Sequence, residues 1–304
     1  MAPIDYTFPA RPVGGRRTPS RGPILRLADY TTGTLPPRPA SIDDLSTVML
    51  GLDGNDRVGD CVPTGWDNFH RIVTRLLTGT EVEYDLTQVI AWYKTQNPDF
   101  DINGTAQTNG PGSSADGGMD MQTFLTYLVK TGVILGFAAL DPKSDAEIET
   151  ALWLFLAVYF GGTLQVAQQT QTDSGYWDYV PGSDTWGGHC FVGGTYDVAT
   201  GKVGVATWAE VVETTAAWRQ YCLDEAYAIL TKEHVANPGF RAGFDLPKFA
   251  AAWTAITGRP FPVPVTPAPT PTPTPPAPSP LDSVIASMRK AWAAFDAWLK
   301  ARGV

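Results

Sequence analysis

A chain of 304 residues with 43% hydrophobic content and ten tryptophans can bury a full core, which excludes a disordered protein and favours one large domain with appendages. Its net charge of −9 argues against general nucleic-acid binding. Three cysteines (Cys61, Cys190, Cys222) without CxxC spacing make no disulfide framework, and with only three histidines the sequence shows no zinc-ligand pattern, so no cofactor is expected. The start of the chain lacks a signal-type apolar region, and no apolar run reaches the roughly 18 residues of a membrane span, so synthesis in a reducing cytoplasm is expected.

Residues 1–40 are rich in Pro, Gly and Arg and are expected to form an extended arm. Arg11, Arg16, Arg17, Arg21 and Arg26 face only Asp5 and Asp29 within residues 1–30, so the arm is basic on an acidic protein. A solvated tail, a strap across the domain surface or a grip on an anionic partner all fit that composition. A domain is expected over residues 41–260, with Ser41–Asp44 a cap and turn at its start.

The spacing of Trp66, Phe69, Ile72, Val73, Leu76 and Leu77 predicts a helix over Cys61–Thr78, stopped by Gly79. Asp60 is its expected N-cap, and Pro63 is tolerated in a first turn. Cys61 therefore sits where unpaired backbone N–H groups and the helix dipole favour a thiolate. Asn55 lies six residues ahead of it. Further helices are expected over Asp85–Thr95, Met119–Lys130 and Asp145–Phe160, with a long glycine- and proline-rich loop over residues 97–118. The alternation of Gly162–Ala167 predicts a strand, and His189–Tyr196 and Lys202–Trp208 a pair of strands. Trp218–Thr231 and Leu246–Thr257 return to helical spacing. Helices first and strands second give an α+β domain of two segregated lobes.

Residues 261–280 form a Pro/Thr-rich linker holding ten prolines, a polyproline II spacer reaching roughly 60 Å. Residues 281–304 carry an amphipathic helix, Leu281–Ala301, whose stripe of Val284, Ile285, Met288, Trp292, Phe295, Trp298 and Leu299 needs a cover. The same chain, a second copy or a larger assembly could supply it.

A cysteine nucleophile needs a base, an orienting group and oxyanion donors. His189, in Trp186-Gly187-Gly188-His189-Cys190-Phe191-Val192-Gly193-Gly194, is the best base, because flanking glycines leave room beside its ring. His70 lies too far along the Cys61 helix, and His234 follows a surface-like Lys232-Glu233. Thr207 could hold the imidazole, Trp208 shield it, and Asn55 with the Cys61 N–H receive the oxyanion. Cys190 should point away from His189, Cys222 reads as core, and Asp224-Glu225 reads as a solvated face.

In order and spacing these blocks resemble the papain-like cysteine peptidases: an amide six residues before a helix-start cysteine, a Gly-Gly before a helix (Gly117-Gly118-Met119-Asp120), a Gly-His strand, and Ala206-Thr207-Trp208 where the family has Asn-Ser-Trp. The resemblance spans roughly residues 50–230. It implies a papain-like two-lobed fold, with a helical N-terminal lobe and an antiparallel β C-terminal lobe. It also implies hydrolysis of a peptide or other amide by Cys61 and His189 with Thr207 orienting, and a cleft lined by Gly117, Gly118 and Trp208. The Asn-Asp-Arg-Val-Gly-Asp-Cys block also resembles papain-like proteins of bacteriophages and actinobacteria, which implies a virion setting. Threonine in place of asparagine equally fits a weak enzyme or a structural module attached through the terminal helix, and acyl transfer to an amine is a third reading.

Overall fold

The computed structural model describes residues 11, 13–19, 24–31 and 38–265. The described residues belong to one compact unit. The expected helix Leu281–Ala301, and the linker beyond Val265, lie outside the described residues.

In chain order, strand β1 (Ser41–Asp43) precedes helix α1 (Cys61–Thr78), α2 (Leu86–Tyr93), α3 (Met121–Thr131), β2 (Gly136–Ala139), α4 (Asp145–Phe155) and β3 (Val158–Gln165). Then come α5 (Gln168–Asp173), β4 (Tyr176–Trp177), β5 (Thr185–Asp197), β6 (Lys202–Thr207), β7 (Glu210–Thr214), α6 (Ala216–Cys222), β8 (Leu223–Leu230), α7 (Lys232–Ala236), α8 (Pro238–Gly243) and α9 (Leu246–Thr257). The strands make one sheet in the order β2-β8-β3-β5-β6-β7-β4, with β1 added beside the end of β5. All neighbours are antiparallel except the pair of β4 and β7.

Alternate residues of the central strands feed two cores, as the two-residue period of a strand requires. Phe160, Phe191, Ala226 and Ala228 join the core that holds α4, α8 and α9. Tyr159, Cys190, Val192, Tyr227 and Ile229 join the core built around α1 and α3. Helix α1 is the centre of the second core. Trp66, Phe69, Ile72 and Val73 are fully buried, each contributing ~1.5–3 kcal/mol of hydrophobic stabilisation. Gly79, at φ 77°, ends the helix where the spacing predicts.

Several elements depart from expectation. Ser41–Asp43 is a strand rather than a turn, paired with Thr195–Asp197. The helix expected to run to Phe160 stops at Phe155, because Leu156 turns left-handed at φ 65° and Val158 starts β3. The helix expected over Trp218–Thr231 ends at Cys222, and Leu223–Leu230 becomes a strand lodged between β2 and β3. The two classes of element are also less segregated than their order suggests, since β1 and β2 leave the helical half of the chain to join the sheet.

Candidate functional site

Cys61 is the first residue of α1, at the seam the sequence marks. Asp60 occupies the N-cap position but makes no side-chain cap. Its Oδ1 instead accepts from Asn55 Nδ2 at 3.2 Å, and that same nitrogen donates to the Val58 carbonyl at 3.2 Å. Both Asn55 amide protons are therefore engaged within the loop that delivers Cys61.

On β5, His189 is fully buried and lies on the strand face opposite Cys190. Its Nε2 meets the Thr207 hydroxyl of β6 at 2.7 Å. The Trp208 indole stacks on the imidazole, with centroids 4.1 Å apart and planes within 10°. Thr207 and Glu210 face each other across a two-residue hairpin, in which Trp208 (φ 45°) and Ala209 (φ 60°) both take left-handed backbone. Such a turn normally selects Asn-Gly. Here it aims a tryptophan at the histidine.

The thiol and the imidazole are not joined by a hydrogen bond: His189 Nδ1 is buried without a partner. The Cys61 sulfur instead takes the backbone N–H of Cys190, the residue beside His189. Burial, with the Asp60 carboxylate adding to it, pushes the thiol up to about 12, against the opposing effects of that N–H and of Arg16. Burial and the Arg16 charge hold His189 down to about 3. The helix-start position therefore does not yield the expected thiolate here, because desolvation outweighs the dipole. Both groups rest neutral.

What covers them is the N-terminal arm. Gly14 N donates to the Gly188 carbonyl at 2.7 Å. Gly15 O accepts from Met119 N, and Arg17 N donates to Met119 O, each at 2.7 Å. The approach is close enough that a Cβ on Gly15 would lie 2.8 Å from Cys61 Sγ and 2.6 Å from Gly59 O. One on Gly188 would lie 2.4 Å from Arg16 O. Upstream, Arg11 pairs with Asp173 and Glu210 at 2.7 and 2.9 Å and reaches over the Trp208 ring. Downstream, Arg17 Nε donates to Gly117 O at 2.9 Å. Gly118, at φ 68°, admits the arm because a Cβ there would meet Gly14 O at 2.5 Å. Gly117, Gly118 and Trp208 thus all border the groove the arm fills.

Arg16 leaves the arm for an acidic pocket. Its Nη1 donates to Glu225 Oε1 at 2.9 Å and its Nη2 to Asp224 and to Thr163 Oγ1, the latter at 3.2 Å. Of the solvated face expected at Asp224-Glu225, Asp224 is exposed, but Glu225 is buried at 6% exposure. The sequence carried a signal for both partners: an isolated Gly-Gly-Arg-Arg in the arm, and two carboxylates opening an otherwise apolar strand.

Cys222 is buried in the core as expected. Cys190 packs against Gly65 and Tyr159. His70 and His234 serve structure: His70 Nδ1 bonds Val82 O, and His234 bonds Thr231 and Phe155 O.

No protein-family model matches the chain, nor does any curated protein. Among solved structures it is similar to xylellain, a cysteine protease from Xylella fastidiosa. The likeness is at 11% identity and a TM-score of 0.49, covering 72% of this chain and 96% of that one. Among the described residues no helix is long and apolar enough to cross a membrane.

Proposed function

We propose that the protein is a papain-like cysteine hydrolase acting on peptide or other amide bonds, resting in a closed state under its own arm. The observation that carries this reading is the Thr207–His189 contact at 2.7 Å, on a strand whose Gly187 and Gly188 are covered by the same arm whose Gly15 presses on a helix-start cysteine. For the Cys61 sulfur to leave the Cys190 N–H and reach His189 Nδ1, the one imidazole position left without a partner, lifting of the arm must be joined by a shift of α1 against β5, since the two side chains rest on opposite faces of the sheet. His189 then takes the thiol proton as sulfur attacks the carbonyl carbon, and passes it to the departing amine. Water, deprotonated by the same ring, hydrolyses the thioester and restores the thiol. Thr207 and Trp208 hold the ring. The Cys61 N–H receives the oxyanion, joined by Asn55 Nδ2 once it gives up one of its 3.2 Å bonds.

A thiol-directed alkylating probe tests this. The reading expects labelling at Cys61 over Cys190 and Cys222, abolished by His189→Ala once the arm is displaced. Equal or absent labelling favours a second reading, a structural module without catalysis. What favours that second reading is the placement of Cys61 and His189 on opposite faces of the sheet without a hydrogen bond. The amphipathic stripe of residues 281–301 supports virion attachment or self-association through that segment, in a phage-type setting. Sedimentation of the full chain against one ending at residue 265 tests the association.

A further inference from the structure

The arginine in the groove is held by more than a surface ion pair. Asp224 and Glu225 find no other ion-pair partner among the described residues. Tyr227 donates to Glu225 Oε2 at 2.6 Å, fixing the carboxylate with its other oxygen toward Arg16. Gly161 makes the passage for the aliphatic stem. A Cβ at that position would lie 2.7 Å from Arg16 Cδ, from Glu225 Cγ and from Met121 Sδ. Thr163 Oγ1 adds an acceptor at the rim. A glycine floor, two carboxylates and a hydroxyl around a planar cation form a fork-shaped receptor, which suits guanidinium better than ammonium. It opens one residue from the point where the arm lies on the Cys61 sulfur.

We infer that this pocket is a substrate-recognition subsite for arginine, so that the peptides the protein cleaves place an arginine side chain beside the residue presented to Cys61, and that Arg16 is its resident competitor. The Gly15 carbonyl oxygen is bound by Met119 N, so the arm fills the subsite without offering that carbonyl to the Cys61 N–H. An occupant so held blocks the groove without being presented for cleavage there.

The inference rests on the hydrolase reading for the word substrate, and the test separates the two. In the full chain carrying Arg16→Ala, N-acetylarginine methylamide is titrated calorimetrically beside its uncharged isostere, N-acetylcitrulline methylamide. Saturable binding of the arginine compound, at least tenfold tighter than the citrulline compound and weakened at least tenfold by Glu225→Gln, is expected; the unaltered chain should bind neither. Should Arg16→Ala fail to fold with two unpaired carboxylates, Gly15→Ala, which raises the fraction of chains with the arm unseated, serves in its place, and the arginine compound should then bind about 5–30-fold tighter than the unaltered chain allows. Equal binding of both compounds, or of neither, overturns the pocket. Internally quenched peptides with Arg or Leu placed before or after the residue presented to Cys61 complete the separation. Turnover without an arginine preference keeps the hydrolase and removes the subsite. Selective binding with no turnover keeps the subsite and removes the hydrolase.

Discussion

Replacing Gly15 by alanine in the full chain should unmask Cys61. The new methyl would sit 2.6 Å from Gly59 O and 2.8 Å from both Gly59 C and Cys61 Sγ. Two of those atoms are backbone of the loop that sets α1, so they cannot swing aside as a flexible side chain would. Overpacking of that kind costs ~1–3 kcal/mol, offset in part by the ~0.4–1 kcal/mol that alanine gains over glycine through the unfolded chain. A net ~1–2 kcal/mol against the seated arm multiplies the open population about 5–30-fold. If alkylation needs the open state, the iodoacetamide rate at Cys61, located by peptide mass mapping, rises by that factor at pH 8. Cys190 and Cys222 should keep their rates. An unchanged Cys61 rate in a folded variant would refute the idea that the arm governs access. So would an equal rise at all three cysteines, which would report general loosening.

In the unaltered chain, alkylation of Cys61 should climb without a plateau from pH 8 past pH 10, because burial holds the thiol up to about 12 and only the thiolate reacts. A plateau near pH 9 would contradict that. Thr207→Val leaves both ring nitrogens of a buried imidazole unpaired and should cost ~1–3 kcal/mol in chemical denaturation, with Thr207→Ser close to the original. Asp44 is raised to about 7 by burial and by Asp43, so its folded carboxyl resists ionisation while the unfolded one ionises near 4. That penalty grows as pH rises from about 4 to about 7 and is constant above. Asp44→Asn should therefore raise Tm by about 2–4 °C at pH 8, the shift ~1 kcal/mol gives in a domain of this size, and converge with the parent near pH 4. Tyr93→Phe removes a hydroxyl that donates to Asp116 and accepts from Gly118 N, so amide exchange at Gly118 and Gly59 should quicken.

The parts of the fold legible in the sequence are those whose signals are local. Helix α1 shows a clear apolar period with a glycine stop, and α9 a proline in its first turn with Gly258 beyond its end. Strand β8 was not legible, because a strand covered on both faces loses its alternation, and Leu223–Leu230 reads as a continuation of the helix before it. At the candidate site, the Thr207–His189 contact could be anticipated because their strands are neighbours in sequence. The Arg16–Glu225 pair spans 209 positions, and no window along the chain reports such a meeting. The raised thiol escaped for a related reason. Helix-end electrostatics is written in the sequence, whereas the water excluded by a distant arm is a property of the folded whole.

The hairpin at Trp208-Ala209 has a kinetic meaning. Two non-glycine residues in left-handed backbone make a costlier turn than the reverse-turn residues usually found there. That turn sets the flat face of an indole on the imidazole. With Nε2 committed to a hydroxyl, every proton entering or leaving this histidine must use one door, and because Nδ1 is itself buried that door opens only with a motion that brings it a partner or water.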